Sequence, residues 1–318
     1  MKIPILTGII KRRMLINFRV DAAVMQKTLP APFRPKLHKG YAIAGICLIR
    51  LEHIRPAGLP AFLGFSSENA AHRIAVEWDD PSGEQKEGVF IPRRDTASRL
   101  NHLFGGRIFS GEHHLAKFHV VDDGTNVDFT MESCDKAVSV QVRGFDSDVL
   151  PPSSCFAFLA ESSHFFECGA LGYSVTCNPH RLDGLRLKTL DWRVCALAVE
   201  QVQSSFFANT TCFPTGSAEF DHALIMRNIP HEWHQAADMT TKTEPEYKPR
   251  RSSWLEVVDM LEPFWRELFT AMDIRWSCFR ENQHPHPGQP FHGMAIRSGP
   301  GRRNWKMPMS SSTLRDEA

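Results

Sequence analysis

The densest run of groups able to move protons or hold anions lies between residues 87 and 119, EGVFIPRRDTASRLNHLFGGRIFSGEHHLAKFH. Arg93, Arg94 and Asp95 follow an apolar strand, Gly88 to Ile91. Glu112, His113 and His114 come behind a Ser110–Gly111 turn and open a strand that also carries Lys117 and His119. A guanidinium presents a fixed fork of donors that matches a carboxylate. An imidazole with an unperturbed pKa shuttles protons near neutrality. Lys117, crowded by imidazoles in a buried site, would suit Schiff-base chemistry. Alternate strand residues share a face, so His113, Lys117 and His119 go one way, and His114, Ala116, Phe118 and Val120 the other. Arg93 and Arg94 also point to opposite sides, one free for a ligand carboxylate and the other for a protein acid. A plainer reading stays open beside each: a solvated strand face for the histidines and lysine, a surface ion pair plus a helix cap for the arginines.

A second set is Glu68, His72, Arg73 and Glu77. Glu68 ends a glycine-containing loop and could reach a cleft as acid or base, with Arg73 nearby. Cross-strand pairing on a wet sheet face is the alternative. The run PHEWH at 230–234 lacks the spacing of a zinc-binding HExxH helix and has no evident third ligand, so no metal is expected. The glycines at 105–106 lack the spacing and closing GK[ST] of a phosphate loop. No cofactor is expected.

The chain has 318 residues, 42% hydrophobic and 23% charged, with a formal net charge of +1. That balance gives no bulk electrostatic reason to expect nucleic acid or an anionic membrane. No run of about 18 apolar residues appears, so no membrane span is expected. The start, MKIPILTGIIKRRML, places its basic residues after the apolar run, the reverse of a signal peptide. None of the eight cysteines forms a CxxC pair, and most are expected to be buried free thiols in a reducing, cytoplasmic setting.

These groups must be positioned by mostly β structure. Strands are expected at 14–20, 41–51, 71–78, 87–91, 113–121, 125–131, 136–143, 172–177, 185–190 and 194–203, several joined by turns such as DDPSG and DDGT. Asp21 caps a short helix through about Lys27, and Asp95 caps another over 96–104. Pro151–Pro152 opens a helix closed near Gly169, and EFDHALIM at 219–226 reads as a short helix or packed coil. No βαβ series appears, so the class is α+β, mainly antiparallel β: a curved sheet or half-closed barrel with few helices. Composition shifts after residue 235. Domain one is taken as 1–235. The extension 236–318 holds a helical segment at about 254–274, and from His284 onward it reads as a disordered tail.

The stretches NFRVDAAVMQKTLP, GYAIAGICLIRL, the 66–78 strand with its glutamate, and GVFIPRRDTASRLNHLFGGRIFSGEHHLAKF resemble the acetoacetate decarboxylase-like superfamily, nearest its YqjF-like, DUF2071-type branch. The resemblance spans about residues 10–234. It implies a cone-shaped, mostly antiparallel β barrel with short flanking helices, homo-oligomers, and a pocket for a small organic acid or carbonyl ligand. Decarboxylase members carry glycine, aromatic, proline, lysine, lysine around the nucleophile. Here that stretch is Gly111, Glu112, His113, His114, Leu115, with histidine in the nucleophile's place. The resemblance therefore implies the fold without the Schiff base. His113, His114, Glu68 and Lys117 are candidate catalytic groups, and Arg93, Arg94, Glu112 and Arg73 candidate substrate ligands. The expected activity is an acid–base lyase or isomerase, with non-catalytic small-molecule binding as the alternative.

Overall fold

A computed structural model describes residues 4–104, 110–178 and 180–241. The glycine pair at 105–106, the helix expected over 254–274 and the tail from 284 lie outside the described residues. In chain order the elements are β1 (Leu6–Asp21), α1 (Ala22–Thr28), β2 (Arg34–Pro35), β3 (Leu37–His38), β4 (Tyr41–Pro56), a 3-10 turn (Ala61–Leu63), β5 (Phe65–Asp79), β6 (Gln85–Thr96) and α2 (Arg99–Phe104). Then follow β7 (His113–Asp122), β8 (Asn126–Ser133), β9 (Ser139–Ser147), α3 (Leu159–Glu167), β10 (Leu171–Val175), β11 (Arg181–Thr189), β12 (Cys195–Ser204), β13 (Ala218–Gln235) and β14 (Met239–Thr240).

The strands close on themselves twice. One ring runs β6–β7–β8–β9–β12–β13–β1–β4–β5 and back to β6. A second path leaves β6 through β10 and β11 to β13, and returns through β1, β4 and β5. Pairing is antiparallel except where β6 meets β7 and β10. The strands β1, β4, β5, β6 and β13 are thus common to both rings and have no solvated face over much of their length. That explains the unbroken apolar run YAIAGICLIRL in β4, since a strand buried on both sides loses its alternation. Met14, Ile16, Ile46, Leu48, Ile74 and Phe90 fill the first ring. Leu15, Ile43, Cys47, Ile49 and Leu224 lie on the opposite face, packed with Phe156 and Phe166 of the α3 region. β4 and β1 approach closely at Gly45, where a Cβ would lie 2.3 Å from the Ile16 carbonyl oxygen.

Several local expectations are corrected. Residues 219–226 belong to the long strand β13, because they pair with β1 on both sides of an irregularity at Asp221. The helix after Pro151–Pro152 begins only at Leu159: the Asp221 carboxylate takes the Ser154 hydroxyl and the Cys155 N–H, holding that segment out of a helix. Asp21 does cap α1, accepting from the N–H groups of Ala23 and Val24 at 2.9 Å. Asp95 caps nothing, because β6 continues through it and the N–H of Asn101 bonds to Ser98 Oγ instead. Cys134, Cys168, Cys177 and Cys195 are exposed, contrary to the expected burial, and Cys47 is buried. Among the described residues no helix is long and apolar enough to cross a membrane.

Burial also fixes charge states. His72, whose ring lies against Phe206 inside the first ring, has neither nitrogen hydrogen-bonded, and burial beside Arg93 pushes its pKa down to about 3. Burial, with Arg13 nearby, pushes His231 down to about 4. Unfolded imidazoles take up protons below about pH 6.5. The stability tied to these neutral rings is therefore complete above that pH and is lost as the pH falls toward 4. The urea midpoint followed by tryptophan fluorescence should drop between pH 7 and pH 5, and His72→Gln should flatten that drop.

Candidate functional site

The site begins with a β-bulge. On β5, His72 pairs with Arg93 and Ile74 with Phe90, so the single residue Arg73 faces two residues, Ile91 and Pro92, on β6. A bulge of this kind places an extra residue in one strand and shifts the facing of everything beyond it. Phe90 and Arg93 consequently both face the first ring. Ile91 and Arg94 both face the other side, where a cavity of about 150 Å3 opens between the shared strands and β10–β11. Small residues leave the room for it: Ala71 on β5, and Gly169, Ala170 and Gly172 entering β10. Ile49, Leu51, Leu187 and Trp233 make much of its wall apolar.

Arg13, Arg73 and Arg94 all line this cavity. Among the described residues none of the three is ion-paired to a carboxylate. Arg94 Nε donates to Ser174 Oγ at 3.0 Å, and Arg13 Nε donates to Cys47 Sγ at 3.3 Å. Arg73 stacks over the Phe166 ring, 4.6 Å from its centroid, and has a buried Nε with no hydrogen-bond partner. Burial pushes the pKa values of Arg73 and Arg94 down to about 10, while the nearby Cys47 sulfur works in the opposite sense. Both remain cations at neutral pH. Arg73 is buried, whereas Arg13 and Arg94 are half-buried and the Asp183 carboxylate acts on Arg94 from a distance, so the burial cost is highest for Arg73, and an anion beside it would offset that cost.

Arg73 is held by a chain of donors that ends on an acid. Its guanidinium donates to Asn17 Oδ1, Asn17 Nδ2 donates to His222 Nε2 at 3.1 Å, and His222 Nδ1 donates to the Asp221 carboxylate. Ser162 Oγ also meets His222 Nε2, at 2.7 Å. Serine, histidine and aspartate are ordered as in a hydrolase triad, but all are buried and none lines the cavity. Their role here is to fix the Asn17 amide so that its oxygen faces Arg73.

His113 opens β7 beside Arg94, its strand partner, and lines the same cavity. Its Nδ1 lies 3.0 Å from the Gly111 carbonyl. A carbonyl only accepts, so Nδ1 carries the proton and Nε2 keeps its lone pair. Burial, then Arg94, pushes its pKa down to about 3, so the ring is neutral. Gly111 has φ +81°, and its N–H donates to Asp183 Oδ2 at 3.0 Å.

The remaining candidates lie elsewhere. Arg93 turns inward, bonded through Nε and its terminal nitrogen to Asp95 and to Asp135 at 2.9 Å. His114 joins that interior cluster, 3.5 Å from Asp135, with its pKa pushed down to about 4 by burial and Arg93. Glu68 pairs with Arg12 at 2.8 Å on the face opposite the cavity. Glu112 is half-buried, which raises its carboxyl pKa, and it does not line the cavity. Lys117 is exposed, across from Glu132 on β8. Of the candidates, Arg73, Arg94 and His113 are thus brought together. Arg13, Asn17, Cys47, Ser174, Asp221 and His222 were not singled out as site residues. Arg13 was hidden because β1 was expected to begin at residue 14, whereas extending its alternation backward would have put Arg13 on one face with Leu15 and Asn17.

A methyl group at Gly111 would sit 2.4 Å from Ser174 Cβ and 3.3 Å from Arg94 Nε, on a backbone conformation that disfavours side chains. Gly111→Ala is expected to destabilise the fold by at least about 1 kcal/mol in urea titrations.

No curated protein matches the chain. Among solved structures it is similar to acetoacetate decarboxylase from Legionella pneumophila subsp. pneumophila str. Philadelphia 1, at 10% identity over 73% of this chain and 87% of that one, with a TM-score of 0.48. It is also similar to an acetoacetate decarboxylase-like enzyme from Sphingomonas wittichii RW1, at 11% identity over 76% and 93%, TM-score 0.45. A third is the enduracididine biosynthesis enzyme MppR complexed with pyruvate, at 11% identity over 74% and 89%, TM-score 0.44. The family model described as "Uncharacterized conserved protein" matches residues 10–216, and the chain belongs to that family, DUF2071.

Proposed function

We propose that the protein binds a small organic acid whose carboxylate is held by Arg94, Arg73 and Arg13, and that His113 exchanges a proton with the bound molecule. The observation that carries this reading is the set of guanidinium groups lining one cavity without paired carboxylates among the described residues. Their N–H forks suit a carboxylate, and the apolar wall suits a short carbon skeleton. His113 would take a proton next to a carbonyl through Nε2. Burial is the main cause of the low His113 pKa and Arg94 the second, and a bound anion would offset the Arg94 part. Isomerisation or lyase chemistry follows from such a proton transfer. No Schiff-base step is included, because among the described residues no lysine lines the cavity.

The second reading is a receptor that binds without reacting, and the low basicity of His113 favours it. Calorimetry with pyruvate and acetoacetate tests the shared part. Binding is expected, with Arg94→Gln weakening it by about tenfold or more, as loss of a charge-assisted contact does. No detectable binding would sink both readings. Proton NMR in deuterium oxide separates them: faster exchange at the pyruvate methyl group, lost in His113→Gln, supports proton transfer, whereas binding without exchange supports the receptor. Borohydride with either acid should leave the protein mass unchanged, and a trapped adduct would overturn the lysine-free reading.

A further inference from the structure

Cys47 occupies the cavity face of β4, 9% exposed, where its Sγ accepts from Arg13 Nε. Its neighbours across the sheet are Leu15 on β1 and the small Ala71 on β5, which lines the same cavity. Arg73 and Arg94 lie within its electrostatic reach. Arg73 supplies an independent pointer to a ligand: it is 5% exposed, lines the same cavity, and has an Nε without a hydrogen-bond partner. Cys47 and the three guanidinium groups line the same cavity, so an acid held by the forks shares that space with the sulfur. Partly exposed Phe65, Leu185 and Trp233 form the wall toward solvent.

We propose that Cys47 is a nucleophile of this cavity, selective for small acids that carry an electrophilic carbon beside the carboxylate. With an aldehydo acid, the Sγ–C bond forms, the carbonyl π pair moves to oxygen, and the thiol proton ends on that oxygen. The product is a thiohemiacetal, and no oxidant or further reactant is needed. With a halo acid, the Sγ–C bond forms, the carbon–halogen bond breaks, halide leaves, and the thiol proton goes to solvent. Selectivity comes from proximity, since the arginines hold the acid next to the sulfur. This inference rests on the carboxylate-binding reading above.

The test compares iodoacetate with iodoacetamide on the full chain, with rates resolved by peptide mass mapping. The two reagents differ mainly in charge, and the exposed Cys134 and Cys177 serve as internal references. The iodoacetate-to-iodoacetamide rate ratio at Cys47 should exceed that at Cys134 by about tenfold or more, the scale of electrostatic focusing in a charged cleft. Glyoxylate should slow labelling at Cys47 and leave Cys134 untouched. Arg94→Gln should lower the ratio, and Arg94→Lys should keep most of it. Equal ratios at Cys47 and Cys134, or an unlabelled Cys47, would overturn the proposal. Calorimetry on wild type with glyoxylate and pyruvate tells the two failures apart. Binding without preferential labelling sinks the role of Cys47 alone, and absence of binding sinks the carboxylate site beneath it.

Discussion

The extra residue in β6 opposite Arg73 decides what the rest of the site can be. Without it, Phe90, Pro92 and Arg94 would share one face, and Arg94 would point into the packed interior of the first ring. With it, Arg93 takes the interior position and Arg94 the cavity position. The two adjacent arginines then divide their work. Arg93 is neutralised by Asp95 and Asp135 and ties β6 to the start of β7 and the turn after β8. Arg94 keeps its charge beside open space. Proline at 92 suits the bulge, since it has no N–H to give to a ladder.

The cavity exists because two closed paths of strands share the same wall. Strands with both faces buried are normally filled with apolar side chains on each side. Here one side is a dense core of Met14, Ile16, Phe90 and Phe129, whereas the other combines apolar residues with alanines, glycines and guanidinium groups. Placing cations there is unfavourable unless each is well supported. The support is indirect: Ser174 for Arg94, Cys47 for Arg13, and for Arg73 the buried sequence Asn17, His222, Asp221. The groups that accept directly from the arginines, Ser174, Cys47 and Asn17, carry no full negative charge, and the nearest acid to Arg94, Asp183, acts on it without a salt bridge among the described residues.

The arrangement also gives each histidine a different fate. His72, His114 and His231 are buried with packing partners, and their low pKa values record the cost of charging a buried ring. His113 shares that low value but differs in having its proton pinned on Nδ1 and its other nitrogen uncommitted among the described residues. Gly111 sets this up with a backbone conformation that serves His113 through its carbonyl and Asp183 through its N–H.

Much of this was legible in the chain. Turn residues and apolar runs set the hairpin-linked, mainly antiparallel strands, and Asp21 announced α1. The concentration of charge at 87–119 marked the stretch that supplies Arg94 and His113. Strand parity separated His113 from His114 from sequence alone, because a period of two is local, but it left Lys117 on the His113 face, and only the structure shows Lys117 exposed. What parity could not settle was which face meets which core, or that the parity of β6 changes at residues 91–92. Nor could it show that Arg13, Cys47 and the Asp221–His222 pair meet Arg73 and Arg94, since β1, β4, β5 and β13 pair across long sequence separations. Residue types and local periodicity placed most of the strands and α1, and misplaced the strand at 219–226 and the start of α3. Tertiary pairing alone decided which charges are cancelled and which are left facing a cavity, because that depends on neighbours no local pattern encodes.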